Sequence, residues 1–158
     1  MGLFDFFKKK RNYAEGSDLC QDPKIRRIFM QTLGAPTHAI TARDVHYLAL
    51  REDHLRALVW KYHAPAVGYH QNSDEFPDCD DFALMARGSV MYGASMEGIR
   101  YTPLFGGISY LSRRLDGWHR ANWAITADEK LWIFEPQSEQ QAWYPAASEC
   151  AEFRMASI

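Results

Sequence analysis

One stretch, Phe76-Pro77-Asp78-Cys79-Asp80-Asp81-Phe82-Ala83, constrains the fold of this chain more than any other. It opens a helix predicted from Asp78 to about Met91, ending near Gly93. Cys79, Phe82, Ala83 and Ala86 fall at i, i+3, i+4 and i+7 and share one face. Two of the four are alanines, so a sheet can approach that face closely. A cysteine at a helix N-terminus sees free N–H groups and the positive end of the helix dipole. Both favour the thiolate, the nucleophilic form. The bland alternative is a small buried hydrophobe, the common fate of a free cysteine.

The second half of the chain supplies what would face that helix. Residues 117–126 and 131–135 read as a β-hairpin joined through Asp128-Glu129-Lys130. His119, Ala121, Trp123 and Ile125 lie on one strand face, with Trp118, Arg120, Asn122 and Ala124 on the other. His119 is thus the polar member of an apolar, core-facing row, 40 positions after Cys79. Leu131-Trp132-Ile133-Phe134 makes a short buried strand that Glu135-Pro136 ends. In a tight hairpin Glu135 comes beside His119, where a carboxylate can accept the imidazole N–H and fix its tautomer. The candidate catalytic residues are therefore Cys79, His119 and Glu135.

The remaining chain is read as helices first and strands later, an α+β pattern. Residues 12–22 are polar and irregular. Asp22 caps a helix to about Leu33, with Pro23 at its first position and Gly34 as the stop. Thr41-Ala42-Arg43-Asp44 has capping-box spacing. A helix over Glu52–Tyr62 turns Leu55, Leu58, Val59 and Tyr62 inward. Residues 64–78 form a long loop, residues 100–112 are extended, and Glu152–Met155 adds a last strand. The domain reading is a tail over 1–22 and one folded domain over 23–158.

Composition excludes several classes. The formal net charge of -2 gives no basic field for nucleic acid. No apolar run approaches the ~20 residues that span a bilayer, and no signal peptide is expected, which suggests a cytoplasmic or particle-associated protein. The N-terminus is apolar and then basic, the reverse of a signal peptide. Residues 2–11 are read either as a membrane-surface or protein-docking anchor, or as a segment packing its aromatics on the domain. Cys20, Cys79 and Cys150 are too few for a disulfide framework, and a Cys20–Cys150 bridge stays open. A metal site from His63, His70 and His119 matches no compact ligand motif.

The acidic residues Asp74, Glu75, Asp78, Asp80 and Asp81 flank the cysteine and oppose a thiolate. A bound divalent cation removes that conflict. Carboxylate oxygens of Asp80 and Asp81 with the Gln137 carbonyl suit Ca²⁺. The alternative is a solvated acidic loop.

Cys79-Asp80-Asp81-Phe82-Ala83, then His119, then Phe134-Glu135-Pro136-Gln137 resemble the papain-like C-terminal domain of the fairy-ring mushroom agglutinin family. The Cys-x-Asp-[Phe/Tyr]-Ala start is also similar to bacterial transglutaminase-like cysteine peptidases. The resemblance covers residues 40–158. It implies a papain-like or transglutaminase-like α+β fold, with N-terminal helices on an antiparallel sheet made by the C-terminal half. It implies Cys79 as nucleophile, His119 as base, Glu135 as orienter and calcium near Asp80, Asp81 and Gln137. The chain has no room for the agglutinin's lectin domain, so glycan targeting is not carried over. The expected function is a thiol hydrolase acting on a peptide or protein substrate, with Gln71 or Asn72 as oxyanion donor. The alternatives are a non-catalytic papain-like docking module, as in a virus particle, and a cell-wall peptide hydrolase.

Overall fold

The computed structural model describes residues 17–42, 44, 46–63, 79–137 and 142–158. Residues 1–16 of the expected 1–22 tail, the loop over 64–78 and the oxyanion candidates Gln71 and Asn72 lie outside them.

A six-stranded sheet organises the chain. Its strands are β2 (Ile40–Thr41), β5 (Phe105–Ser112), β6 (Gly117–Ile125), β7 (Leu131–Phe134), β8 (Trp143–Pro145) and β9 (Cys150–Ser157). They lie in the order β2-β9-β5-β6-β7-β8, antiparallel except for the β2–β9 edge pair. A second sheet joins β1 (Asp18–Cys20), β3 (Tyr47–Ala49) and β4 (Thr102–Pro103) in the order β1-β3-β4. Four α-helices are described: α1 (Asp22–Leu33), α2 (Glu52–Tyr62), α3 (Cys79–Met96) and the short α4 (Ala146–Glu149). The mixed α+β class expected from the element order is the class observed.

Helices cover the sheet on both faces. One core cluster joins Ile25, Ile28 and Phe29 of α1 to Ile108, Ala121, Trp123 and Ile133. Phe29 meets Trp123 edge-on at 5.0 Å between ring centroids, a favoured aromatic geometry. The other cluster joins Leu55, Leu58 and Val59 of α2 and Ala86, Val90 and Ala94 of α3 to Phe105, Ala124 and Phe134. Asn122 and Ala124, expected on a face opposite the core, are therefore fully buried as well. The small face of α3 makes this fit. Asn122 Nδ2 donates to the carbonyls of Ala83 at 2.9 Å and Gly106 at 3.2 Å, tying the helix to β5 and β6.

Several local expectations need correction. Helix α1 begins at Asp22, with Gln21 at the N-cap position and no side-chain cap. Its end is as expected, because Gly34 takes φ +65° and its N–H returns to the Met30 carbonyl at 2.9 Å. The polar segment before it contains β1, which pairs with β3. The capping-box spacing at Thr41 opens no helix. Thr41 ends β2, and the Asp44 N–H donates to Tyr47 Oη while its carboxylate accepts from Thr102 Oγ1. Helix α3 runs past Gly93 to Met96. Gly93 is there because the Tyr62 ring of α2 presses on the position where a Cβ would stand. That glycine serves a close helix approach, not a helix end.

The sheet leaves no room for a side chain at Gly106: a Cβ there would strike the Ser157 carbonyl and the Trp123 indole. Gly106→Ala is expected to destabilise the fold by about 1–3 kcal/mol, measured by chemical denaturation.

Candidate functional site

The site forms where α3 starts above β6. Asp80 pairs with Arg120, and the Ala83 carbonyl with Asn122, so the first turn of α3 sits over residues 120–122 of β6. Strand β7 ends at Phe134, opposite Asn122, and the chain then turns inward. Two contacts fix that turn. The Glu135 N–H donates to the Ala142 carbonyl at 2.9 Å, and the buried His63 imidazole meets the Pro136 carbonyl at 3.3 Å. Burial holds the His63 pKa below its ordinary value, despite that carbonyl.

Glu135 is delivered to His119. His119 Nε2 and Glu135 Oε2 are 2.6 Å apart, and the residues are 8% and 6% exposed. A contact this short between buried groups is a charge-assisted hydrogen bond. The second Glu135 oxygen accepts the Gln137 N–H at 3.2 Å. Cys79, half-buried at the head of α3, acts electrostatically on the same imidazole, and its Sγ donates to Asp80 Oδ1 at 3.9 Å. Burial alone would lower the His119 pKa. The hydrogen bonds and charges of Cys79 and Glu135 outweigh it and raise the value to about 9. The three residues proposed from sequence are thus brought together in the order thiol, imidazole, carboxylate.

All three cysteines are free, so the open Cys20–Cys150 bridge is not formed. Cys20 and Cys150 are buried thiols. Burial raises both pKa values, that of Cys150 to about 11. Only Cys79 combines access with a basic neighbour.

Among the described residues, no group of three or more His, Cys, Asp and Glu side chains is placed to hold a metal ion. Of the calcium candidates, Asp80 is engaged by Arg120, and Gln137 buries a side-chain nitrogen without a hydrogen-bond partner. The Arg120 guanidinium brings positive charge to Asp80.

Sequence reasoning missed a groove beside the site. It is a cavity of about 330 Å³ between α3 and strands β5, β6 and β9. Asp80, Asp81, Arg87, Arg120, Ser109 and Ser157 give it a polar lining, with Ile108 and Met155 among its apolar walls. Its residues come from four distant segments, so no local motif announces it.

The fold and site define an α+β protein in which a helix start sets a thiol against a sheet-borne imidazole and carboxylate. Its similarity to known proteins is one of fold. A solved complex of PSL1a with E64 superposes with a TM-score of 0.67 at 17% identity, covering 89% of this chain and 51% of that one. The Polyporus squamosus lectin, bound to the human-type influenza-binding epitope Neu5Acα2-6Galβ1-4GlcNAc, gives 0.65 at 18% identity, covering 89% and 49%. The chain spans about half the length of these lectin chains. No protein-family model and no curated protein matches it.

These findings overturn the identification drawn from the motifs. The solved structures that share the fold bear a lectin's name, so the papain-like protease assignment is withdrawn. With it go the calcium-assisted cysteine peptidase, the docking module and the cell-wall hydrolase. The physical reason lies in the motifs. Five residues at a helix start and four at a strand end specify local geometry, and local geometry recurs across families.

The His119 pKa carries a stability consequence. A histidine whose pKa rises on folding stabilises fully below its unfolded value near 6.5 and loses that contribution as pH climbs through about 9. Thermal unfolding is expected to show wild-type stability falling between those limits more steeply than that of His119→Ala. Parallel pH profiles would contradict it.

Proposed function

We propose that this chain is a ligand-binding module whose working group is a nucleophilic thiol. Cys79 attacks an electrophilic ligand with its proton already held on His119, and Glu135 orients that imidazolium and balances its charge. Sulfur forms one bond to the electrophilic carbon, the proton stays on His119, and the leaving group departs with its electron pair. The observation that carries this reading is the buried 2.6 Å His119–Glu135 contact, with Cys79 raising the pKa of the same imidazole. Covalent capture is the proposed act; peptide hydrolysis is not part of it.

The test is residue-resolved alkylation by iodoacetamide at mildly acidic pH, read by mass spectrometry. Cys79 is expected to react at least about tenfold faster than Cys20 and Cys150, and His119→Ala to remove most of that advantage. Equal rates at all three cysteines, or no effect of His119→Ala, would sink the reading. Calcium at Asp80, Asp81 and Gln137 is a separate proposal. It predicts that labelling of Cys79 changes between added Ca²⁺ and a chelator.

The lectin neighbours bring a second reading, a carbohydrate ligand, and the groove favours it. Carboxylates, guanidinium groups and hydroxyls of both hydrogen-bonding senses line a cavity of ligand size. That mixture suits a polyhydroxylated molecule better than an apolar one. Titration with Neu5Acα2-6Galβ1-4GlcNAc, followed by NMR, is expected to shift groove resonances saturably in the wild type and not in Arg87→Ala. Unmoved spectra at millimolar sugar would end this reading for that glycan.

A further inference from the structure

A second buried carboxylate lies behind the first. Glu149 of α4 is 4% exposed and accepts from Ser112 Oγ at 2.5 Å and from Tyr110 Oη at 3.3 Å. The Tyr110 ring in turn packs edge-on against the His119 imidazole, with centroids 6.0 Å apart. The charges of Glu149 and Glu135 both bear on Tyr110; burial first and these charges next raise its pKa. Two buried anions in one neighbourhood repel each other unless a cation stands with them.

Arg114 is that cation. Its Nη2 donates to Glu135 Oε2 at 3.5 Å, and its Nε stands 3.9 Å from Glu149 Oε1. Glu135 Oε2 is thus shared between His119 and Arg114. The guanidinium is held from several sides. It lies 5.1 Å from the centroid of the Tyr144 ring. The turn that carries it is pinned by the Leu115 N–H on Ser112 Oγ at 3.0 Å and the Arg113 N–H on the Glu149 carbonyl at 2.8 Å.

We propose that Arg114 is a positioning residue for the thiol site, bridging Glu135 and Glu149 so that Glu135 is held on His119. The inference rests on the thiol reading and extends it. Arg114 acts through the carboxylate of Glu135. Its planar fork addresses two carboxylates at once, which a lysine ammonium does less well.

The experiment compares the wild type, Arg114→Lys and Arg114→Gln at one pH. It reads Cys79 alkylation and the His119 Nε2–H resonance in ¹H–¹⁵N spectra. The expected labelling order is wild type, Lys, Gln, with Arg114→Gln slower by about fivefold or more, the size of a typical coupling between contacting residues. The Nε2–H resonance is expected to shift in Lys and to shift further or vanish in Gln. An Arg114→Gln rate within about twofold of wild type, with Nε2–H unmoved, overturns the proposal. If Arg114→Gln does not fold, Arg114→Lys decides: an unmoved Nε2–H resonance overturns the bridge. Slow labelling of wild-type Cys79 would instead refute the thiol reading, while the resonance would still decide the role of Arg114.

Discussion

The buried pair of His119 and Glu135 is the contact on which the rest of the site depends. Taking an imidazole and a carboxylate out of water costs several kcal/mol per ion unless each remaining donor and acceptor is met. The structure meets them one by one. One Glu135 oxygen takes the imidazole and Arg114, and the other takes the Gln137 N–H. The Ala142 carbonyl fixes the Glu135 backbone. Removing any one leaves a buried charge short of a partner.

This arrangement explains the shape of the surrounding fold. β7 ends at Phe134, and Glu135 follows it with its carboxylate on His119 of β6. α3 lies close because Ala83 and Ala86 let it, and Asn122 locks it there. The acidic start of α3, which looked hostile to a thiolate, is partly answered by Arg120 on the strand below. Fold and electrostatics are thus one problem, solved where the helix start meets an incompletely paired stretch of strand.

Much of this was legible in the sequence, for reasons that differ by residue. The α2 face at Leu55, Leu58 and Val59 follows from helical period alone. Gly34 is a helix stop because only a residue tolerant of positive φ ends α1 that way. Cys79, His119 and Glu135 were picked out because a helix starts at Cys79 and a hairpin brings 119 and 135 together, although α3 packs on the Asn122 and Ala124 face of β6 while Ala121 and Trp123 pack on α1. The rest depends on distant partners. Gly93 looked like a stop, but its neighbour is Tyr62, 31 positions earlier. Strands β1 and β3 are too short to show alternation and exist because they pair. The Arg114 bridge and the groove gather residues from separate elements, so no window of sequence contains either.

Family and activity were the least legible. Short motifs around a thiol and an imidazole suggested a protease, whereas the solved structures sharing the fold are named as lectin complexes. What this chain's own residues support is a buried imidazole–carboxylate pair with a half-buried thiol at the helix start, beside a polar groove. The most direct measurement of that cluster is the ¹⁵N spectrum of the His119 ring in the wild type and in Cys79→Ala near pH 7.5. The account predicts both ring nitrogens protonated in the wild type, since the His119 pKa stands at about 9, and a shift toward the neutral ring once Cys79 is removed. A neutral ring in the wild type, or spectra that ignore the loss of Cys79, would contradict it.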